Sequence, residues 1–241
     1  MTELLLILLA FTTSVISGVF GLGGGLILIA FMLSLLPPIA IVPIHAVTQL
    51  ISNGSRAVFS FSAIRWEFAF TFLLGSIVGS VLAAQVTVSL NLDYIPLLIA
   101  GFILFNVWGG GIRIRRGIKG EFFSLGLLQT GLGMLVGATG PLTQSTLVNK
   151  GLARDSIVAT SALLMSITHI LKMLMFGLIG FSFMQYAGLI TGMVIAVVTG
   201  SYLGTRMRHR VPNVLFQRLI KYLLTLLAIK MIVTTLYTLM L

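Results

Sequence analysis

The chain has no cysteine among its 241 residues, which excludes disulfides, thiolate metal ligands and a cysteine nucleophile. Charge is also scarce. Only 8% of residues are charged, against about 25% in soluble domains, so the chain cannot present a wetted surface. Carboxylates are scarcest of all. The five, Glu3, Glu67, Asp93, Glu121 and Asp155, lie at the ends of apolar segments or in loops. None sits mid-segment to relay a proton or hold Na⁺. Three histidines, one of them (His209) in a loop, give too few ligands for a catalytic metal. There is no G-x-S-x-G elbow, and Ser161 and His169 lie two helical turns apart, too far for a direct hydrogen bond. No enzymatic activity, metal or cofactor is expected.

What is present is apolar. Hydrophobic residues make up 58% of the chain, and the mean hydropathy is +1.12. Apolar segments run over about 3–34, 40–63, 67–90, 94–112, 122–148, 155–178, 183–205 and 214–240. They recur from end to end with no soluble block between them. This is the pattern of an all-α polytopic membrane protein in the lipid bilayer, built as a single transmembrane domain over 1–241. The first segment carries Glu3 instead of a basic n-region and is too long for a cleavable signal. The net charge of +10 sits mostly in short loops, so it reports topology and not a nucleic-acid partner.

Two segments are broken internally. The first contains Gly21-Leu22-Gly23-Gly24-Gly25, and 122–148 contains Gly137-Ala138-Thr139-Gly140-Pro141. Basic residues flank 122–148 on both sides: Arg113, Arg115, Arg116 and Lys119 before it, Lys150 and Arg154 after it. If this segment enters the membrane and returns, both loops lie inside, as the positive-inside rule prefers. Arg65 and the run Arg206, Arg208 and Arg210 then also lie inside, with Pro37-Pro38, Asp93 and Gly180 outside. Eight simple crossings would leave one basic loop on the wrong side. The re-entrant assignment predicts two inverted four-segment repeats, 1–116 and 117–241. Each is a broken or re-entrant helical hairpin followed by three transmembrane helices, an organisation used by secondary transporters.

The repeats align weakly. Gly21 to Leu26 matches Gly137 to Leu142, and at the same offset Asn53 falls on His169 and Arg56 on Lys172. In segment 40–63, His45, Gln49, Asn53 and Arg56 are spaced to share one helix face. Their counterparts in 155–178 are Ser161, Met165, His169 and Lys172, with Thr168 alongside. Each stripe ends in a cation. An intramembrane cation costs about 2.5–3.5 kcal/mol on insertion scales and usually faces a cavity, although either could snorkel to an interface. Lys230 is a third such cation without a partner in the repeat. With cations and imidazoles but no mid-span carboxylate, the expected ligand is a small anion. The glycine breaks would add free N–H groups at half-helix starts, which bind anions. The expected substrate-binding set is Gly21, Gly23, Gly24, Gly25, His45, Gln49, Asn53, Arg56, Thr139, Gly140, Pro141, Gln144, Ser161, Thr168, His169 and Lys172. The two tips are expected to meet near the midplane. Close helix packing is the competing reading of the glycines, and the preferred one for Gly75-x-x-x-Gly79, Gly188-x-x-x-Gly192 and Gly200-x-x-x-Gly204.

The stretches "SGVFGLGGGLI", "HAVTQLISNGSRAVF", "GATGPL" and "KGLARDSIVATSALLMSITHILKMLMF" together resemble the TauE/SafE sulfite-exporter-like permeases, over essentially the whole chain. The resemblance implies a multi-pass permease of the bacterial cytoplasmic (inner) membrane for a small sulfur-containing or organic anion, such as sulfite or a sulfonate. Alternating access would move it; an anion channel is the alternative, and after it an intramembrane enzyme. Homo-oligomerisation and coupling to a proton or another ion stay open. If a proton is coupled, His45 or His169 must carry it.

Overall fold

The computed structural model describes residues 1–21, 23–110, 120–208 and 214–240. Leu22, the basic residues Arg113, Arg115, Arg116 and Lys119, and His209, Arg210 and Asn213 lie outside the described residues. The described residues form ten α-helices and no strand. They are α1 (Thr2–Phe20), α2 (Gly24–Met32), α3 (Pro38–Phe59), α4 (Ala69–Ser89), α5 (Ile95–Trp108), α6 (Glu121–Val136), α7 (Gly140–Asn149), α8 (Arg154–Leu178), α9 (Ala187–Met207) and α10 (Val214–Met240).

Burial is inverted relative to a water-soluble protein. The interior holds Thr13, Ser14, His45, Thr48, Ser52, Gln129, Thr130, Thr168 and Lys172. The exterior shows Leu8, Ile77, Val81, Leu174, Ile195 and Leu226. Such an apolar surface is stable in lipid and not in water. Five described helical stretches are long and apolar enough to cross a membrane: Thr2–Phe20, Trp66–Ser89, Arg154–Leu178, Phe183–Met207 and Lys221–Leu239. The 22-residue α3 is not among them because its polar stripe lowers its hydropathy. The 14-residue α5 extends only about 21 Å.

Both broken segments break where the glycines are. α1 ends on Gly21 with φ 81°, and α6 ends on Gly137 with φ 78°. Each glycine N–H closes onto a carbonyl of the preceding turn, Gly21 onto Ser17 at 2.8 Å and Gly137 onto Gly133 at 3.0 Å. Left-handed backbone is open to glycine at little cost. The chain then doubles back. A Cβ on Gly24 would stand 2.0 Å from the Thr13 carbonyl oxygen, so α2 runs against α1. Pro141 opens α7 in its first turn, where its missing N–H is not needed.

The other helices are held by close backbone contact. A Cβ on Gly75 or Gly79 in α4 would meet the backbone of α6 at 1.9 Å or 2.2 Å. Gly200 and Gly204 in α9 press on α1 in the same manner, at 2.6 Å and 2.4 Å. The packing reading of these two glycine pairs therefore holds. In the third pair Gly192 contacts Ile7, but Gly188 faces open space. Packing is reciprocal between the two ends of the chain: α1 lies on α9 and α6 on α4, while α5 lies on α10. At the centre α3 and α8 cross antiparallel, with His45 facing His169 and with Ala57 and Ile64 against Ala159 and Ala162. The two polar stripes thus face each other in the middle of the molecule.

Candidate functional site

A cavity of about 40 Å³ lies between these stripes. Since one water needs about 10–15 Å³ on this measure, it holds about three, the bulk of a four-atom oxyanion. α3 lines it with His45, Gln49, Asn53 and Arg56, and α8 with Ser161, Met165 and His169. The α1–α2 break contributes Ser17, Gly21, Gly23, Gly25 and Leu26, and the α6–α7 break contributes Ala138, Gly140 and Pro141. No carboxylate is among the lining residues.

Most of the expected residues are brought together here, and the others have identifiable partners. Gly24 is used for packing on Thr13 and Ser17. Thr139 donates to the Gln129 carbonyl at 3.0 Å, and Thr168 is bonded among Gln129, Thr130 and the Leu164 carbonyl. Gln144 lies on α7 outside the cavity, its buried Oε1 without a partner among the described residues. Lys172 is fully buried but turns away from the cavity to donate to the Gly137 carbonyl at 2.6 Å. Lys230 is exposed on α10, 3.3 Å from Ser34 Oγ.

Arg56 is 3% exposed. It donates to the carbonyls of Ser17 at 3.1 Å and Gly21 at 3.4 Å, and to Asn53 Oδ1. Both intramembrane cations therefore sit on the carbonyl end of a broken helix, where the dipole is negative. A carbonyl brings no counter-charge, and neither side chain forms an ion pair with a carboxylate among the described residues. The two tips approach each other at His45, whose Nε2 is 2.9 Å from the Gly25 carbonyl of the first and whose Nδ1 lies beside Gly137 of the second. The first tip is also held by Arg56 and the second by Lys172. Along α3, Arg56 is three turns, about 16 Å, beyond His45.

Met165, read on the stripe but not in the binding set, lines the cavity, and the sequence reading missed several other groups. Ser17, Leu26 and Ala138 also line it. Arg208 Nε donates to the Gly18 carbonyl and Arg154 to the Val19 carbonyl, each at 3.1 Å. With Arg56, arginines from three helices collar the last turn of α1. Arg208 also pairs with Asp155 at 3.1 Å. Gly21, four residues after Ser17, could have suggested a helix end, but nothing local pairs that end with residues more than a hundred positions away.

The histidines present open hydrogen-bonding capacity. His45 Nε2 lies 2.9 Å from the Gly25 carbonyl, but its Nδ1 has no partner. Neither ring nitrogen of His169 has one among the described residues. The rings face each other at 5.9 Å. Buried polar atoms without partners are rare in folded proteins. Here three belong to the two histidines that line the cavity together with Arg56 and the N-terminus of α2, whose first N–H groups have no intrahelical acceptor. This arrangement suits a small acceptor-rich anion.

A larger cleft of about 380 Å³, lined mostly by apolar residues including Pro38, Val42, Leu90, Met134, Phe176 and Phe181, lies at the Pro38 and Gly180 end.

The family model described as sulfite exporter TauE/SafE matches residues 6–231. No curated protein and no solved structure matches the chain. The chain belongs to the TauE/SafE family, and it is a multi-pass membrane permease.

Proposed function

We propose that this TauE/SafE family member is a secondary transporter that moves a small sulfur oxyanion or related organic anion, such as sulfite or a sulfonate, by alternating access. The observation that carries the reading is the carboxylate-free cavity, lined by Arg56, His45, His169, Gln49, Asn53 and Ser161 and bounded by both glycine tips. Arg56 supplies the lasting charge. Asn53, Gln49 and Ser161 supply neutral hydrogen bonds, and the glycine backbone of α2 admits the ligand closely. Lys172 acts from the far tip, where it holds the Gly137 carbonyl. Gly23, Gly140 and Pro141 shape the walls, while Gly24, Thr139, Thr168 and Gln144 support them.

The two halves, 1–116 and 117–241, act as inverted repeats in this proposal. The reciprocal packing of α1 on α9 and α6 on α4 supports that division. Rocking of one half against the other about the α3–α8 crossing would expose the cavity to each side in turn. The membrane would be the bacterial cytoplasmic membrane. Transport, not catalysis, is supported by the family.

The test is sulfite flux into vesicles carrying purified protein. Wild type is expected to raise flux above empty vesicles, and Arg56→Ala and Lys172→Ala to lower it. Wild-type flux in both variants would reject the site.

A further inference from the structure

We infer that the site takes up a proton with each anion, on Nδ1 of His45; this rests on the anion site proposed above. His45 stands where α3 meets α8 and both tips. Its Nε2 is 2.9 Å from the Gly25 carbonyl oxygen. A carbonyl only accepts, so Nε2 carries the hydrogen. In the neutral ring Nδ1 is then a bare lone pair. It is buried and has no donor among the described residues.

An anion offers only lone pairs to that atom. Two acceptors cannot share a contact without a hydrogen between them. An anion beside His45 therefore needs Nδ1 to gain one. The surrounding charges decide when it does. The titratable and charged groups around the ring are His169 opposite, Lys172 one turn further on α8, and Arg56 three turns along α3. The lining residues of the two tips are uncharged, and α9 reaches α3 beside His45 through Met193. In the empty cavity a third buried cation would have no counter-charge and a large desolvation penalty. A bound anion supplies the counter-charge. Nδ1 then takes a proton from water on the side of uptake and donates a charge-assisted hydrogen bond. On release the N–H bond breaks and the proton leaves with the anion to the other side. No other bond is made or broken. His169, with both ring nitrogens open, meets the anion as a neutral donor. A monoanion is then carried without net charge movement, and a dianion with one negative charge.

The test uses the purified full-length protein in weakly buffered detergent, with sulfate and methanesulfonate as probes. Neither ion titrates near neutral pH, so any proton taken up belongs to the protein. Binding is followed in the same samples by the ligand-induced rise in thermal stability. Wild type is expected to take up about one proton per anion, with affinity weakening up to about tenfold per pH unit as pH rises. His45→Gln retains an N–H for the Gly25 carbonyl and is expected to take up none, whereas His169→Gln keeps the uptake. Wild-type binding without proton uptake overturns the inference and leaves the anion site standing. Uptake lost in His169→Gln and kept in His45→Gln overturns the assignment to His45. Failure of both probes and of sulfite to bind overturns the anion site and this inference with it. The wild-type titration decides even if the His45 variant does not fold.

Discussion

Arg56 and Lys172 each do two things with one charge. Each satisfies carbonyls at the end of a broken helix, and each places a basic group in the interior away from any carboxylate. A hydrogen bond to a charged group is worth about 1.5–3 kcal/mol, and replacing Arg56 by Gln removes the charge and leaves the Ser17 and Gly21 carbonyls weakly paired. Arg56→Gln is therefore expected to cut sulfite flux by about tenfold or more, with Arg56→Lys retaining more activity. Initial rates in vesicles containing equal amounts of folded protein check this. Glycines separate by role at this scale as well. Gly24→Ala would drive a Cβ to 2.0 Å from the Thr13 backbone oxygen, where nothing flexible can yield. A loss of about 1–3 kcal/mol is expected from such overpacking, visible as a lower melting temperature. Gly188→Ala meets no atom within 4 Å and is expected to leave the melting temperature unchanged or slightly raised, since alanine is the better helix former. The polar stripe on α3 was legible because its spacing of four, four and three residues leaves little choice of face. That Lys172 serves the Gly137 carbonyl and not the cavity was not legible, because a lysine at that register reaches either.

The elements that matter most are the two hairpins. Gly21 and Gly137 adopt φ 81° and 78°, and these breaks let α2 and α7 fold back. Left-handed backbone costs other residues about 1–2 kcal/mol, so Gly21→Ala is expected to weaken the fold and the flux together, measured by thermal unfolding and vesicle uptake of the same preparation. Doubling back also fixes sidedness. The start of α1 and the end of α2 should face one side of the membrane, and the turn after α3 the other. The chain has no native cysteine, so single substitutions report cleanly. Thr2→Cys and Ser34→Cys are expected to react with an impermeant maleimide from one side, and Ser62→Cys from the opposite side. Reaction of Thr2→Cys and Ser34→Cys from different sides would show that the first segment crosses. Both broken segments were readable from sequence, the first because an apolar run of more than thirty residues with a cluster of glycines is too long for one span, the second because basic residues flank it on both sides. The order of contact was not. A stripe of small residues announces a close partner without naming it, and only packing assigned α6 to α4 and α1 to α9.

At the scale of the molecule, the α3–α8 crossing is the place where two halves could pivot, with the cavity at the pivot. A carrier working in this manner saturates and exchanges. Vesicles preloaded with unlabelled sulfite are expected to accelerate uptake of labelled sulfite, and a linear, unsaturable flux without such exchange would favour a channel. Sequence by itself determined that the chain lives in lipid, that its few interior charges are cationic, and that two of its segments are broken. Those follow from composition and spacing, which act locally and need no partner. Tertiary structure alone decided that arginines gather on the last turn of α1, that both tips come to the His45 ring, and that three nitrogens of the two central histidines are left without partners among the described residues. These depend on which carbonyl a long side chain reaches across helices distant in sequence. Pairings of that kind are settled by the close approach of backbones at glycine, and no local pattern encodes them.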